Sequence, residues 1–507
     1  MPKKLLVGAV VICAFAAPTL HAAPVLIAIG SLPSDIPDLS TATAGLLENG
    51  AAGNLLGGVG SGLAWAGGNT FIALPDRGPN ATAYNSLVGD TTSYINRFQT
   101  VTLNLTAVPS GGLPFTLTPT LTATTLLSNL TPLIYGTGAL GTGTGAGPGG
   151  VVGPLTLGSG VPALNAINNT TYFTGRSDNF GAGPSTNPNN ARLDPEGVRV
   201  AKDGKSVFIS DEYGPYVYQF DRATGQRIRT FTLPADPALP NNLAVAIQGP
   251  TTASEGKPTN TTGRVANKGM EGLAITPDGT TLVGIMQAPL LQDTNNNIRI
   301  VTIDIATGTT HEYAYKLTTG TGVSEIVAIN NHEFLVDERD GNGLGDSATS
   351  PSAAVNKRLY KIDLSQVIGS HEVDNKSGNL SNDAFGGNPS LAKTEFLDVV
   401  AALNAAGIDS HDIPSKIEGF AFGQDVVING QLNHTLFMAN DNDFLSTFPD
   451  GVHPGEIPNT NNFYVFAVAA ADMPDFLSQA FVPIPGTAWL VGCGLLSLLG
   501  FARRRLS

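Results

Sequence analysis

The chain has 507 residues, and 41 acidic against 27 basic side chains give it a formal net charge of -14. Its basic clusters sit mostly in the two end segments, so the part between is strongly acidic and a poor partner for nucleic acid. Both cysteines, Cys13 and Cys493, also lie in those ends. Disulfides, zinc–thiolate sites and cysteine nucleophiles are therefore excluded from the working domain.

Lys3 and Lys4 open the chain, Leu5 to Ala17 form an apolar run, and Leu20-His21-Ala22 supplies a cleavage pattern. That order predicts a secretory signal peptide over residues 1–22, with an apolar core too brief to span a bilayer. Cys13 lies inside the apolar run rather than at its end, which argues against a lipoprotein anchor. The working domain is expected over residues 23–480, long enough for one large domain or two medium ones.

Within it, 60 glycines and 34 prolines mark many turns, and long amphipathic helical patterns are almost absent. A stretch from Gly136 to Gly160, rich in Gly and Thr and almost uncharged, reads as an inserted flexible loop. Pro240 to Thr262 and Asp340 to Asn356 read as further loose segments. Short β-type runs fill the rest. Ser206–Ser210 follows the turn Lys202-Asp203-Gly204, and Val217–Asp221 precedes Ala223-Thr224-Gly225. Thr281–Ile285 follows Pro277-Asp278-Gly279, and Ile298–Asp304 precedes Ala306-Thr307-Gly308. Runs of this length between such turns predict antiparallel sheets built from successive hairpins.

A longer repeat overlies the hairpins. Asp194-Pro195-Glu196-Gly197-Val198 with Asp203-Gly204 matches Gly269-Met270-Glu271-Gly272-Leu273 with Asp278-Gly279. Weaker copies begin at Ser61-Gly62-Leu63, Ser324-Glu325-Ile326 and Ile417-Glu418-Gly419. Four-stranded units repeated in this way predict an all-β propeller of about six blades, with a β-sandwich as the alternative.

In a propeller the first strand of each blade lines the central channel. Glu196, Glu271, Glu325 and Glu418 would then meet in one ring, where a shared cation or a basic partner relieves their repulsion. The plainer role for each is to lock neighbouring blades through backbone hydrogen bonds. Other acidic groups end strands on the same side: Asp76, Asp211-Glu212, Asp337-Glu338 and the pair Asp441 and Asp443. Carboxylates two residues apart suit a hard cation such as calcium. Asp293-Thr294-Asn295-Asn296-Asn297 lacks the Gly and distal Glu of an EF-hand and reads as a solvated turn. Arg77, Lys268, Arg299 and Arg339 adjoin these motifs, and cations beside metal-binding carboxylates are what phosphate-ester chemistry requires. No Gly-x-Ser-x-Gly, His-Glu-x-x-His or P-loop pattern occurs, and the seven histidines are scattered.

Taken together these motifs resemble the phytase-like family, described as having esterase-like activity of phytase. The resemblance rests on Asp76-Arg77-Gly78-Pro79, Asp194-Pro195-Glu196-Gly197, Ser210-Asp211-Glu212-Tyr213-Gly214-Pro215 and Lys268-Gly269-Met270-Glu271-Gly272. It continues through Gln287-Ala288-Pro289-Leu290, Leu335-Val336-Asp337-Glu338-Arg339-Asp340, Lys416-Ile417-Glu418-Gly419-Phe420 and Asn440-Asp441-Asn442-Asp443-Phe444. It spans about Gly58 to Phe466 and implies a propeller-like fold, an extracytoplasmic setting and hydrolysis of phosphate esters or esters. Glu325-Ile326 departs from the Glu-Gly of the other repeats.

On this reading Glu196, Glu271, Glu338 and Glu418 are the catalytic candidates, and Arg77, Lys268, Arg299 and Arg339 bind substrate. Asp76, Asp194, Asp211, Glu212, Glu325, Asp441 and Asp443 are the candidate ligands for calcium. The alternative is a non-catalytic propeller of the cell surface or exopolysaccharide matrix, in which the same carboxylates take calcium for stability or adhesion.

The chain ends in Val482-Pro483-Ile484-Pro485, an apolar stretch from Thr487 to Ala502, and Arg503-Arg504-Arg505. This resembles the PEP-CTERM sorting signal of Gram-negative bacteria, with Ile484 in place of the commoner Glu. The tail, residues 481–507, is accordingly expected to form a hydrophobic helix held briefly in the inner membrane, its arginines on the cytoplasmic side. That implies processing by an exosortase as well as by signal peptidase, and a destination in the envelope, at the surface or in the matrix beyond it.

Overall fold

The computed structural model describes residues 23–47, 49–80, 91–109, 111–134, 170–176, 187–234, 263–293, 296–366, 373, 391–479 and 481. The expected signal peptide (1–22), the Gly- and Thr-rich stretch, the segment 240–262 and the expected tail helix lie outside them.

The hairpins form where the turns predict. Gly204, Gly225, Gly279 and Gly308 all take positive φ, between 69° and 80°, which only glycine adopts without strain. The runs between them become the strands Ser206–Asp211, Tyr216–Asp221, Thr281–Met286 and Asn297–Asp304. Asp221 ties its turn further, its carboxylate accepting the Thr224 N–H at 2.9 Å.

Five antiparallel sheets form the ring, each built on a ladder of four strands, with a short extra strand, Val426–Ile428, on the fifth and two small two-stranded sheets beside them. Blade 1 runs Gly62–Trp65, Thr70–Leu74, Arg97–Ala107, Phe115–Leu126, and blade 2 runs Pro195–Val200, Ser206–Asp211, Tyr216–Asp221, Arg227–Thr232. Blade 3 runs Met270–Ile275, Thr281–Met286, Asn297–Asp304, Thr310–Lys316, and blade 4 runs Gly322–Ala328, Glu333–Arg339, Lys357–Asp363, Lys393–Asp398. Blade 5 joins Ile417–Phe422, Gln431–Asn440 and Asn461–Ala469 to the first strand of the chain, Val25–Leu32. This strand lies antiparallel to Asn461–Ala469, so the two ends of the domain are hydrogen-bonded into one blade and the ring closes. The count is five blades, where the repeat spacing suggested about six. The copies at Ser61, Glu196, Glu271, Ser324 and Glu418 account for all five, and much of the added length between them lies outside the described residues.

Apolar side chains such as Phe208, Leu273, Ile300 and Val336 are packed between successive blades. The innermost strands touch one another around the ring, and glycines set how closely. A Cβ on Gly197 would meet Leu273 N at 2.7 Å, one on Gly272 would meet Ile326 N at 2.7 Å, and one on Gly419 would meet Leu63 N at 2.9 Å. The Gly of each Glu-Gly dipeptide is thus a packing residue. Gly272→Ala is expected to cost about 1–3 kcal/mol, read as a lower midpoint in chemical denaturation.

The channel does not run through the ring. Arg199 fills its axis, donating to Leu63 O and Ile326 O, each at 2.8 Å. The equivalent positions in the other blades are Ala64, Ala274, Val327 and Ala421, small enough to leave room for one arginine. At the far end the segment after blade 5 crosses the ring. Leu477 N–H donates to Ile329 O at 2.9 Å, Gln479 Nε2 to Val200 O at 2.7 Å, and Phe481 packs on Trp65. What remains on the other side is a blind pit. Among the described residues the single α-helix is Val399–Ala405, and no helix is long and apolar enough to cross a membrane.

Candidate functional site

The floor and wall of the pit follow from strand register. In four blades the pairing of the first and second strands slips by one residue near the start of the first. A bulge of this kind re-aims one side chain. The residues it places at the pit are Glu196, Glu271, Ser324 and Glu418, and Ser61 precedes the corresponding Gly62 in blade 1. Facing each one is the residue two places beyond the partner of the glycine, on the same face of its strand. These are Asp76, Glu212, Gln287, Arg339 and Asp441, one from each blade.

Register also moves Glu325. In blade 4 the bulged residue is Ser324, so Glu325 stands where the other blades have glycine. It accepts the Leu273 N–H at 3.0 Å and pairs with Arg199 Nη2 at 3.0 Å, apart from the pit carboxylates.

Arg339 crosses the pit. Its guanidinium is bonded to the Glu418 carboxylate and to Ser324 Oγ, and reaches within 4.0 Å of Glu271. Arg77 engages Asp194 twice, through its N–H and its Nη1, both at 3.0 Å, and is bonded to Asn267. Lys416 donates to Asp441 at 2.9 Å and to Asp443 at 2.5 Å. Glu212 accepts the Gly269 N–H at 3.0 Å, and Gln287 donates to Glu271 Oε1 at 2.7 Å, leaving Oε2 buried with no hydrogen bond. Glu196 is 8 % exposed and its carboxylate makes no hydrogen bond or ion pair among the described residues.

Eight carboxylates therefore share this space: Asp76, Asp194, Glu196, Glu212, Glu271, Glu418, Asp441 and Asp443. Four cations stand against them, namely Arg77, Arg339, Lys416 and, behind Glu212, Arg264. Burial first, then the surrounding carboxylates, pushes Asp76, Glu196 and Glu271 well above the ordinary carboxyl range. Burial and Asp194 push Glu212 up to about 8. Burial also works against ionised Asp441, but Lys416 holds its carboxyl below the usual value. The uncompensated charge is what a site for added cations looks like.

Two triplets fit one cation each. The oxygens of Asp76, Asp441 and Asp443 lie within 4.8 Å of one another, as do those of Asp194, Glu196 and Glu212. Calcium–oxygen distances of roughly 2.3–2.6 Å span such a triplet. Asp211 supports the second triplet from behind: one of its oxygens accepts the N–H of Asp194 at 3.2 Å and of Tyr213 at 2.9 Å.

Three other expected site residues lie apart. Glu338 is buried between blades 3 and 4, away from the pit, bonded to Tyr315 Oη, Thr319 and Lys393. Arg299 is buried in blade 3 between Asp293, at 2.8 Å, and Glu312, at 3.1 Å. Lys268, half-buried before blade 3, forms no ion pair among the described residues. Sequence reasoning missed Lys416 and Gln287, although both stand inside the quoted motifs, and it missed a third triplet, Asp412, Asp450 and His453.

Asp337 is 1 % exposed and both its oxygens lack a hydrogen bond. Burial pushes its carboxyl up to about 8, against the pull of Arg339 and Lys357. A carboxyl raised on folding costs nothing below its unfolded pKa and destabilises increasingly as pH climbs towards the raised value. Asp337→Asn is therefore expected to leave the melting temperature nearly unchanged at pH 4 and to raise it progressively up to pH 8.

Comparison with known proteins agrees with the motifs. Residues 54–444 match the model of the Phytase-like family, "Esterase-like activity of phytase". An "Uncharacterized secreted protein" of Arthroderma benhamiae is 26 % identical over 479 residues, covering 83 % of this chain and 87 % of that protein. Among solved structures, Kuenenia stuttgartiensis hydrazine synthase matches at a TM-score of 0.27 and 9 % identity, over 76 % of this chain and 78 % of that one. The β-propeller domain of Myceliophteria thermophila Cps50 (Swd1) matches at 0.20 and 10 % identity, over 48 % and 51 %. Scores this low carry no argument. The family match covers most of the chain, and the protein belongs to the Phytase-like family.

Proposed function

We propose that the protein is an exported, cation-dependent hydrolase of phosphate esters or carboxylic esters, working in the pit. The observation that carries this reading is the buried carboxylate of Glu196, which has no partner among the described residues and is surrounded by the carboxylates of Glu271, Asp194, Glu212 and Asp76. The family description and the secreted relative are consistent with it. Export by signal peptidase and processing of the tail by an exosortase belong to the same reading and rest on the sequences of residues 1–22 and 481–507.

Asp194, Glu196 and Glu212 would hold the cation, with calcium as the hard ion that suits an all-oxygen set. Once bound, calcium would neutralise the substrate's charge and make a water more acidic. Arg339 and Arg77 would hydrogen-bond the anionic oxygens of an ester, with Lys416 between them, near both Glu418 and Asp443. Glu271, with Oε1 fixed by Gln287 and Oε2 unbonded, is placed to take the proton of the attacking water. The water's oxygen bonds to phosphorus or to the acyl carbon, the bond from that atom to the alcohol oxygen breaks, and the proton taken by Glu271 leaves with the alcohol.

The test is turnover on a panel of phosphate monoesters and carboxylic esters, after chelation and again after calcium is restored. Activity lost with chelator and regained with calcium is expected. A large calcium-dependent rise in melting temperature with no turnover on any ester would instead establish the non-catalytic propeller.

A further inference from the structure

The two carboxylate triplets in the pit are alike in spacing and unlike in what already stands inside them. At Asp76, Asp441 and Asp443 a cation is present in the form of Lys416, its Nζ shared between Asp441 at 2.9 Å and Asp443 at 2.5 Å. The local backbone is shaped for this contact. Asp443 takes a positive φ of 50°, and its N–H donates to the other oxygen of Asp441 at 2.7 Å, which brings both carboxylates round to one ammonium. Asp76 is also engaged, accepting the Gly78 N–H at 2.9 Å. Every carboxylate of this triplet thus has a partner.

The other triplet differs. Arg77 engages Asp194 and the Gly269 N–H engages Glu212, but Glu196 has neither a hydrogen bond nor an ion pair among the described residues, although it is 92 % removed from solvent. A carboxylate so buried is costly unless something charged reaches it.

We propose that Lys416 is a built-in counter-ion that occupies the first triplet in place of a metal. The pit then takes one divalent cation, at Asp194, Glu196 and Glu212, and not two. This rests on the functional reading above and sharpens it. An ammonium tethered next to its carboxylates competes at a high effective concentration against a free ion for the same oxygens. Lys416 has no oxygen to offer a metal, so it keeps one ammonium among these three carboxylates, on the same side of the pit as Arg77.

The experiment is calcium binding to the purified mature protein by titration calorimetry, with terbium luminescence as a second readout. Ions are counted with Asp412→Asn throughout, which disables the third triplet of Asp412, Asp450 and His453, and on that background the chain with its native Lys416, the wild type here, is expected to take one ion. Lys416→Met, which keeps the length of the side chain and removes its charge, is expected to take two, and Lys416→Arg to stay at one. Glu196→Gln is expected to weaken the wild-type site about 100-fold. Two ions on the wild type, or one ion on a folded Lys416→Met, would overturn the assignment. The wild-type count decides by itself if Lys416→Met does not fold. Zero ions on the wild type would overturn the cation-dependent reading itself, a result distinct from either of these.

Discussion

Arg339→Met is expected to remove about 3–5 kcal/mol of stability and about 100-fold in kcat/KM. The guanidinium is buried between Glu418, Ser324 and Glu271, and among the described residues no other cation reaches Glu271 as closely. Without it, Glu271 and Glu418 are left as like charges in a closed space, and the cost is that of uncompensated buried ions. Chemical denaturation and steady-state kinetics on the same preparation would report both losses. Lysine at this position should restore part of the stability and less of the activity, since a point charge cannot bridge Glu418 and Ser324 as the planar fork does. A variant that is as stable as the wild type would show that the pit charges are screened by solvent and that Arg339 does not hold them together.

Glu196→Gln is expected to separate the two effects in the opposite sense. The carboxylate makes no bond that the fold needs, so in chelator the variant should melt at the same temperature as the wild type or higher. Its turnover should fall about 1,000-fold even with calcium in excess, because the amide offers the cation a single neutral oxygen. The pair of variants therefore distinguishes a residue that holds the pit together from one that holds a cation in it. Equal turnover in Glu196→Gln and wild type would place the chemistry elsewhere.

The parts of this architecture that depend on short-range rules were legible from the sequence. Asp-Gly and Thr-Gly turns reported the hairpins, since their glycines take positive φ in the structure. The spaced Glu-Gly dipeptides reported the blades, because each pairs a carboxylate aimed at the pit with a glycine that lets neighbouring inner strands touch. Blade count was less accessible. Blade 5 borrows its last strand from the start of the chain, and long intervening segments stretch the repeat, so spacing alone points to about six.

The site residues divide along the same line. Glu196, Glu271, Glu418, Asp76 and Asp441 sit at register-equivalent positions and could be found by matching copies. Glu325 could not, because a bulge shifted by one residue puts Ser324 at the pit and Glu325 at the glycine position. Adjacency in sequence points to Glu338 and Arg299, but strand alternation turns Glu338 away from the pit and against blade 3, and Arg299 belongs to a strand third from the axis. Lys416 carries no signal of its own: only the fold shows that the residue before Ile417-Glu418 reaches both Asp441 and Asp443.

The most direct test of the account is where a heavy divalent mimic binds. Crystals of the mature protein soaked in terbium are expected to give an anomalous peak in the pit, within roughly 2.3–2.6 Å of oxygens from Asp194, Glu196 and Glu212. A pit without a peak, or terbium found only at the surface triplet of Asp412, Asp450 and His453, would contradict it.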